Sequence, residues 1–297
     1  MDKTSRTQKK EANYFVSGSN HAGEIRGLSL AGLNVGVAAP ELNAAAEREL
    51  GRLAGTGLKV FVDSGAFGEI TFENGRPEVK REITGAEWTK RLATYERLAR
   101  VLGGQLYVVA PDMVAFQAET LERLAKYADS IRAIKALGAN VIVPVQKGAL
   151  SMSEFAARAT AILGTSEVIW GVPMKKDATS VAELASFTSS LTAGARVHLL
   201  GIGPSSGKRY DAAMAAIPAG VEAFSDSVRI TALVGRGELR VNGERSAPRP
   251  LTAATDAIKA TGKARNANEW KAAAVFVAVG GFSLAAALTV LDAGLFS

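Results

Sequence analysis

Short apolar runs rich in β-branched residues recur along this chain, separated by longer stretches in which apolar and polar positions follow helical spacing. The candidate strands are Tyr14–Ser17, Leu33–Val37, Lys59–Val62, Gln105–Ala110, Asn140–Val145, Glu167–Val172, Arg196–Ile202 and Ala223–Ser227. The amphipathic segments between them are Glu41–Ala54, Gly85–Leu102, Ala118–Leu137, Met152–Ile162, Ser180–Leu191 and Ser206–Ala216. Near-continuous apolar strands alternating with helices predict a parallel sheet covered on its faces. About eight such strands in about 230 residues predict an α/β chain folded as a (β/α)8 TIM-type barrel rather than an open sheet. The first connection, His21 to Gly32, looks too short for a normal helix, so an irregular start is expected there.

The pattern changes near the C-terminus. Ala272 to Leu291 is an uncharged run of twenty residues, preceded by Lys263, Arg265 and Lys271. Its length suffices to span a bilayer, and the flanking charge suits the cytoplasmic side. A buried, Ala-rich terminal helix packed on the barrel fits the same run, because Gly280-Gly281 and the alanines allow close packing. The sequence leaves both open. The segment Met1 to Glu11 is polar and charged, with no apolar core, so a secretory signal is not expected and the protein is expected in the cytoplasm, with a C-terminal membrane tail as the open alternative. The expected organisation is a polar tail (1–12), a barrel domain (13–265) and a C-terminal apolar helical appendage (266–297). No internal repeat, low-complexity tract or Pro-rich linker interrupts it.

Composition narrows the chemistry. The chain has 297 residues, 47% of them hydrophobic, enough for one large domain with a full core. Cysteine is absent, which removes disulfides, thiol nucleophiles and Cys-ligated zinc. Histidine occurs only at His21 and His198, so no metal site and no cofactor are expected, and acid–base work falls mainly to carboxylates. The net charge of +6 permits nucleic acid without diagnosing it. Much of the excess lies between Arg229 and Arg265, where Arg236, Arg240, Arg245, Arg249, Lys259 and Lys263 face only Glu238, Glu244 and Asp256. A solvated helical face and a phosphate-facing patch both fit that stretch.

In such barrels the residues at the C-terminal ends of the strands face the active site. Asp63 follows Val60-Phe61-Val62, Asp112 follows Tyr107 to Pro111, and Gln146 follows Val141 to Val145. Gly171 follows Val168 to Trp170, Gly201 and Gly203 follow His198 to Leu200, and Asp226 closes Ala223 to Ser225. An Asp after a strand is often only the N-cap of the next helix, and Asp112 is the most exposed to that reading. The conjunction instead reads as a polar pocket for a planar, hydrogen-bonding ligand. With no Cys and hardly any His, a nucleophile would be a carboxylate, which suits displacement at an anomeric carbon. A second carboxylate would protonate the leaving group and later activate the incoming one. Asp plus Gln at the pocket floor would read the amide edge of a base, carboxylate to N–H donors and carboxamide to a carbonyl.

Five motifs in order resemble the tRNA-guanine transglycosylase superfamily of (β/α)8 barrels. Asp63-Ser64-Gly65-Ala66-Phe67 resembles that family's Asp-Ser-Gly-Gly-Phe, and Pro111-Asp112-Met-Val-Ala-Phe116 its base-recognising Asp segment. Val145-Gln146-Lys147-Gly148 resembles Val-Gln-Gly-Gly, Leu199-Leu200-Gly201-Ile202-Gly203 resembles Leu-Met-Gly-Val-Gly, and Asp226-Ser227-Val228 resembles the segment holding the nucleophile. Together they cover roughly Phe61 to Val228. The departures are the absent Cys-rich zinc motif, Gly171-Val-Pro-Met-Lys-Lys176 in place of a Glu-containing loop, and Ser-Val-Arg-Ile-Thr after Asp226. They point away from a tRNA modifier and toward the DpdA-like branch, which inserts 7-deazaguanines into DNA in phages and in bacterial modification–restriction clusters.

The resemblance implies a pentosyltransferase that exchanges guanine in DNA for a 7-deazaguanine of the preQ0 type, with a tRNA-acting enzyme lacking the zinc module as the alternative. It assigns Asp226 as nucleophile on C1′, Asp63 as general acid/base, and Asp112 and Gln146 as readers of the base. Ser64, Gly65, Phe67 and Leu200 would line the base, and Gly171 would offer backbone contacts beside its 7-substituent. His198 takes the place of an aromatic in the family and is read as packing. The implied partners are nucleic acid, DNA before tRNA, and the free base. Homodimers are common among the relatives, so a second copy or partner proteins are further expectations.

Overall fold

The computed structural model describes residues 13–18, 20–175 and 178–228, then 240–241, 244–245, 254, 257–261, 263–264, 266–278 and 282–295. Most of the basic stretch from Arg229 to Arg265, the tail before residue 13 and Lys176 lie outside the described residues.

In chain order, β1 (Tyr14–Ser17) leads to α1 (Ala22–Leu30), β2 (Asn34–Ala38), α2 (Ala44–Gly51) and β3 (Val60–Asp63). A hairpin follows, β4 (Ile70–Glu73) and β5 (Arg76–Val79), then α3 (Gly85–Leu102) and β6 (Leu106–Val109). Next come α4 (Gln117–Lys126), α5 (Ala128–Ala136), β7 (Asn140–Pro144), α6 (Met152–Leu163) and β8 (Ile169–Pro173). The series continues with α7 (Val181–Ser189), β9 (Arg196–Leu200), α8 (Lys208–Ala215) and β10 (Glu222–Ser227). Beyond these are the short pair β11 (Arg240–Val241) and β12 (Glu244–Arg245), then α9 (Ala267–Ala278) and α10 (Leu284–Asp292).

Eight strands close into a barrel in the order β1-β10-β9-β8-β7-β6-β3-β2. The pairings run parallel, as in Phe224 with His198 and Gly171 with His198. The fold is therefore the expected (β/α)8 barrel, and each strand lies within two residues of its sequence-based bounds. Apolar residues make these strands because burial on both faces rewards Val, Ile, Leu and Phe. Phe61, Val62, Val108, Ile142, Ile169 and Leu199 are all buried. Three of the helices begin where the chain offers reciprocal caps: Thr84 with Glu87, Ser151 with Glu154, and Ser180 with Glu183.

By its internal contacts the chain divides into two compact units. One comprises Val62–Asp226 with Ala38–Pro40 and the segment up to Tyr14. The other comprises Phe15–Val37, Glu41–Phe61 and the described residues from Ser227 onward.

Three features differ from the sequence-based expectation. The connection from His21 to Gly32, which looks too short for a normal helix, holds a true one, α1. Gly27 lowers helix propensity, yet a Cβ there would stand 2.5 Å from the Ala272 carbonyl oxygen and 2.8 Å from Val275 Cβ of α9. Close helix packing requires the residue that weakens the helical signal. Second, Ala118–Leu137 is two helices, not one. Tyr127 leaves the helical region (φ −111°, ψ 16°), and its ring meets Trp88 at 6.2 Å, beside the buried cluster of Ala66, Ile83 and Trp88. Third, the β4–β5 hairpin is an insertion that the pattern did not show.

The apolar C-terminal run is divided between α9 and α10. Among the described residues no helix is long and apolar enough to cross a membrane. Ala272, Ala273, Ala274, Val275 and Phe276 are buried, with α9 packed against α1.

Replacing Gly27 with Val should overpack the α1–α9 contact and cost about 1–3 kcal/mol. Urea unfolding should show a lower midpoint than for the wild type. Gly104→Ala, where an added methyl meets nothing within 4 Å, should leave the midpoint nearly unchanged.

Candidate active site

Parallel strands deliver their C-terminal ends to one rim, and the polar residues singled out above collect there. Asp63 is the last residue of β3, Asp112 and Gln146 lie just beyond β6 and β7, and Asp226 lies near the end of β10. All of them belong to the unit built on Val62–Asp226.

The turn after β3 is locked by its own side chains. The Gly65 N–H donates to Asp63 Oδ2 at 3.2 Å, and the Ala66 N–H donates to Ser64 Oγ at 3.2 Å. Gly65 has φ of 75°, and a Cβ there would meet Pro40 Cγ at 2.7 Å, so only glycine makes this turn without strain. Arg91 of α3 donates to the Ser64 carbonyl at 2.7 Å from behind. Ser64, itself buried, donates its hydroxyl to Asp112 Oδ1 at 3.0 Å.

That bond starts a chain of contacts. Gln146 Nε2 donates to Asp112 Oδ2 at 3.0 Å, while Gln146 Oε1 accepts the Ala115 N–H at 2.9 Å. Ala115 takes φ of 67°, a left-handed conformation that costs a non-glycine residue about 1–2 kcal/mol. The strained residue aims its N–H at the carboxamide and so sets which end of Gln146 faces Asp112. Gln117 carries the network outward, donating to the Gln146 carbonyl at 3.0 Å. Arg123 donates to the Asp112 carbonyl and pairs bidentately with buried Glu69, which also accepts the Ile83 N–H.

Asp226 is held from the β9 side. His198 Nε2 lies 3.1 Å from Asp226 Oδ1, and the Gly201 N–H donates to the same oxygen at 3.0 Å. Lys175, beyond β8, places its Nζ 3.3 Å from the centroid of the exposed Phe67 ring. Arg209 fixes that segment by donating to the Met174 and Lys175 carbonyls at 2.6 and 2.7 Å.

The electrostatics follow from crowding. Asp63 is pushed up to about 6, first by burial and then by the charge of Asp226, against the Gly65 N–H and Lys175. Asp112 is pushed up to about 7, again by burial and then by Asp63, against the Ser64 hydroxyl and Arg123. Burial also lowers Lys175, with Asp63 and Asp226 opposing. Two carboxyls that gain and lose protons near neutrality, beside a third that accepts the Gly201 N–H and meets the His198 ring, can divide acid–base and nucleophilic roles.

The structure joins Ser64, Asp112 and Gln146 in one hydrogen-bonded network and sets Asp63 within electrostatic reach of both Asp112 and Asp226. Neither Asp63 nor Asp112 caps the α-helix that follows it: the N-cap of α3 is Thr84 and that of α4 is Phe116. Gly171 lies inside β8, where a Cβ would meet Ile142 Cγ2 at 2.9 Å and Leu200 Cδ1 at 3.0 Å, and its carbonyl accepts the Val145 N–H. Phe67 is exposed and Leu200 half-buried. His198 was read as packing; it is fully buried, and its ring also contacts Asp226. Lys175 was noted only as a departure from a motif, and nothing local in the sequence marks it. Among the described residues no group of His, Asp and Glu is placed to hold a metal ion.

No protein-family model matches the chain, and no curated protein matches it. Solved structures that resemble it are distant. A trimodular GH5_4 subfamily endoglucanase is 10% identical with a TM-score of 0.44, over 75% of this chain and 57% of that one. A catalytic-lysine mutant of Ruminococcus gnavus sialic acid aldolase is 12% identical with a TM-score of 0.46, over 90% of this chain and 78% of that one. An L-ribulose 3-epimerase is 16% identical with a TM-score of 0.43, over 97% of this chain and 96% of that one. The chain thus spans little more than half of the endoglucanase, and none of the three assigns a substrate.

The raised Asp112 makes a signed prediction. Its folded pKa of about 7 exceeds the ordinary value of 3.8, so the folded state binds the extra proton between them. Stability from this group is present at low pH and lost as pH rises through about 7. Urea unfolding at pH 5 and pH 8 should therefore show a smaller loss for Asp112→Asn than for the wild type, by on the order of a few kcal/mol. Equal pH dependence of the two proteins would refute the assignment.

Proposed function

We propose that this chain is a base-exchanging glycosyltransferase that replaces guanine in DNA with a 7-deazaguanine through a covalent Asp226–deoxyribose intermediate. The observation that carries the reading is the junction of two arrangements at one barrel end. One is a carboxylate gripped by a histidine and a backbone N–H; the other is an Asp–Gln pair whose polar edges are set by Ser64 and Ala115.

In the first half-reaction a carboxylate oxygen of Asp226 bonds to C1′ as the C1′–N9 bond breaks. The bonding pair stays on the departing guanine, which takes a proton from Asp63. In the second, the incoming base gives its N9 proton to Asp63, N9 bonds to C1′, and the ester bond returns its electrons to Asp226. A pKa of about 6 suits a group that must donate and then accept near neutrality. Asp112 accepts N–H groups of the base, and the remaining Gln146 N–H donates to its carbonyl. Phe67 and Leu200 supply apolar contact to the ring. A base in duplex DNA must be flipped out before attack, and the Arg and Lys excess between Arg229 and Arg265 supplies charge for the phosphates. DNA is favoured over tRNA because the chain has no cysteine and so no Cys-ligated zinc module.

Labelled guanine offered with DNA or with tRNA should enter DNA; entry into tRNA alone selects the RNA-acting alternative. Asp226→Ala should abolish exchange and the trapped adduct, and full activity in that variant would refute the nucleophile. Asp63→Asn should slow adduct formation by about 10²–10⁴.

Adduct formation needs protonated Asp63, so its rate should fall as pH rises above about 6. Lys175→Met removes a charge that favours the carboxylate, and the fall should move to higher pH. A profile unmoved by that substitution would show that Lys175 does not act on Asp63.

A further inference from the structure

We infer that His198 is a positioning residue: it donates its Nε2–H to Asp226 Oδ1 and, with the Gly201 N–H, sets the rotation of that carboxylate for attack. This rests on the proposed reading of Asp226 as nucleophile.

The barrel register explains the placement. His198 pairs with Phe224 across β9 and β10, and partners in a parallel ladder share a face. Asp226 follows Phe224 by two residues and lies on that face as well. The face is the barrel interior, because Phe224 meets the Tyr107 ring of β6 at 5.1 Å from the far side of the strand order. His198 therefore sits one layer below Asp226, fully buried. It cannot touch a bound base or sugar, so its effect must pass through the carboxylate.

The two donors to Oδ1 come from different directions. One is a side chain within β9 and the other a backbone N–H in the turn that follows it, at 3.1 and 3.0 Å. An aspartate has two side-chain torsions, and donors converging from two origins on one oxygen restrict both. An apolar side chain at position 198 would fill the layer but leave one of these donors absent. Misplacing a reacting group by about 1 Å can cost 10²-fold in rate.

The chain contains only two histidines, so nitrogen-15 NMR of the full-length protein can locate the ring protons, with His21→Gln assigning the other imidazole. The expected result is a proton on His198 Nε2 whose resonance moves in Asp226→Ala. A bare Nε2, or a resonance indifferent to Asp226→Ala, overturns the inference whatever the activity. In kinetics, His198→Phe should keep KM for DNA and for the base within about threefold while adduct formation slows about 10²-fold. His198→Gln, which retains an amide donor, should recover part of that loss. Wild-type rates in His198→Phe, or equal losses in the Phe and Gln variants, also overturn it. Failure of the base-exchange reading is a separate outcome, seen as a wild-type protein that forms no adduct with either nucleic acid.

Discussion

Three carboxylates are gathered at one end of a barrel and withdrawn in part from water, and much of the surrounding structure answers that burial and crowding. Burial raises Asp63 and Asp112 most, and like charge adds to it, Asp226 acting on Asp63 and Asp63 on Asp112. Each receives a different answer. Asp112, the most deeply enclosed, is bonded to Ser64 and Gln146 and has a neutral form within easy reach of ordinary pH. Asp226 receives the His198 ring and the Gly201 N–H. Asp63 stays partly open to solvent, with the Gly65 N–H and the field of Lys175. Unequal surroundings give three similar groups different exposure and different hydrogen-bond partners, and they raise Asp63 and Asp112 to different degrees.

That arrangement depends on loops that would otherwise be free to move. Glu69 is buried and its partner Arg123 half-buried, so losing Arg123 would strand the Glu69 charge. Because Arg123 also takes the Asp112 carbonyl and Glu69 takes the Ile83 N–H, one ion pair ties the start of the β4–β5 insertion to α4 and to the loop after β6. Arg91 does the same for the turn after β3 through Ser64. The rim is thus braced from its helical side, and the strained Ala115 is held by its N–H bond to Gln146, which Gln117 fixes in turn.

The strands were legible because burial on both faces writes a continuous apolar run, visible in Lys59–Val62 or Asn140–Val145 without any tertiary knowledge. Asp63, Asp112, Gln146 and Asp226 were legible as strand-end polar residues for the same reason: a polar group that closes an apolar run stands out. Helix α1 was not, since the stretch from His21 to Gly32 is short and the helix packs on α9, a partner distant in sequence. Nor was the break at Tyr127, where a ring packing on Trp88 overrides helix continuity. His198 looked like packing because it takes the place of an aromatic in the resembled family, and its contact with Asp226 comes from the neighbouring strand.

The sequence by itself determined the number and order of strands, hence the barrel, and which polar residues stand at its rim, because both follow from local runs of residue type. Only the tertiary structure decided which of those residues meet. The contacts of Ser64 with Asp112, Gln146 with Asp112 and His198 with Asp226 each join residues from different strands or the turns that follow them. So does the reach of Lys175 toward Asp63 and Asp226. Such contacts are set by barrel register and closure, which bring distant segments within hydrogen-bond reach and which no local pattern encodes.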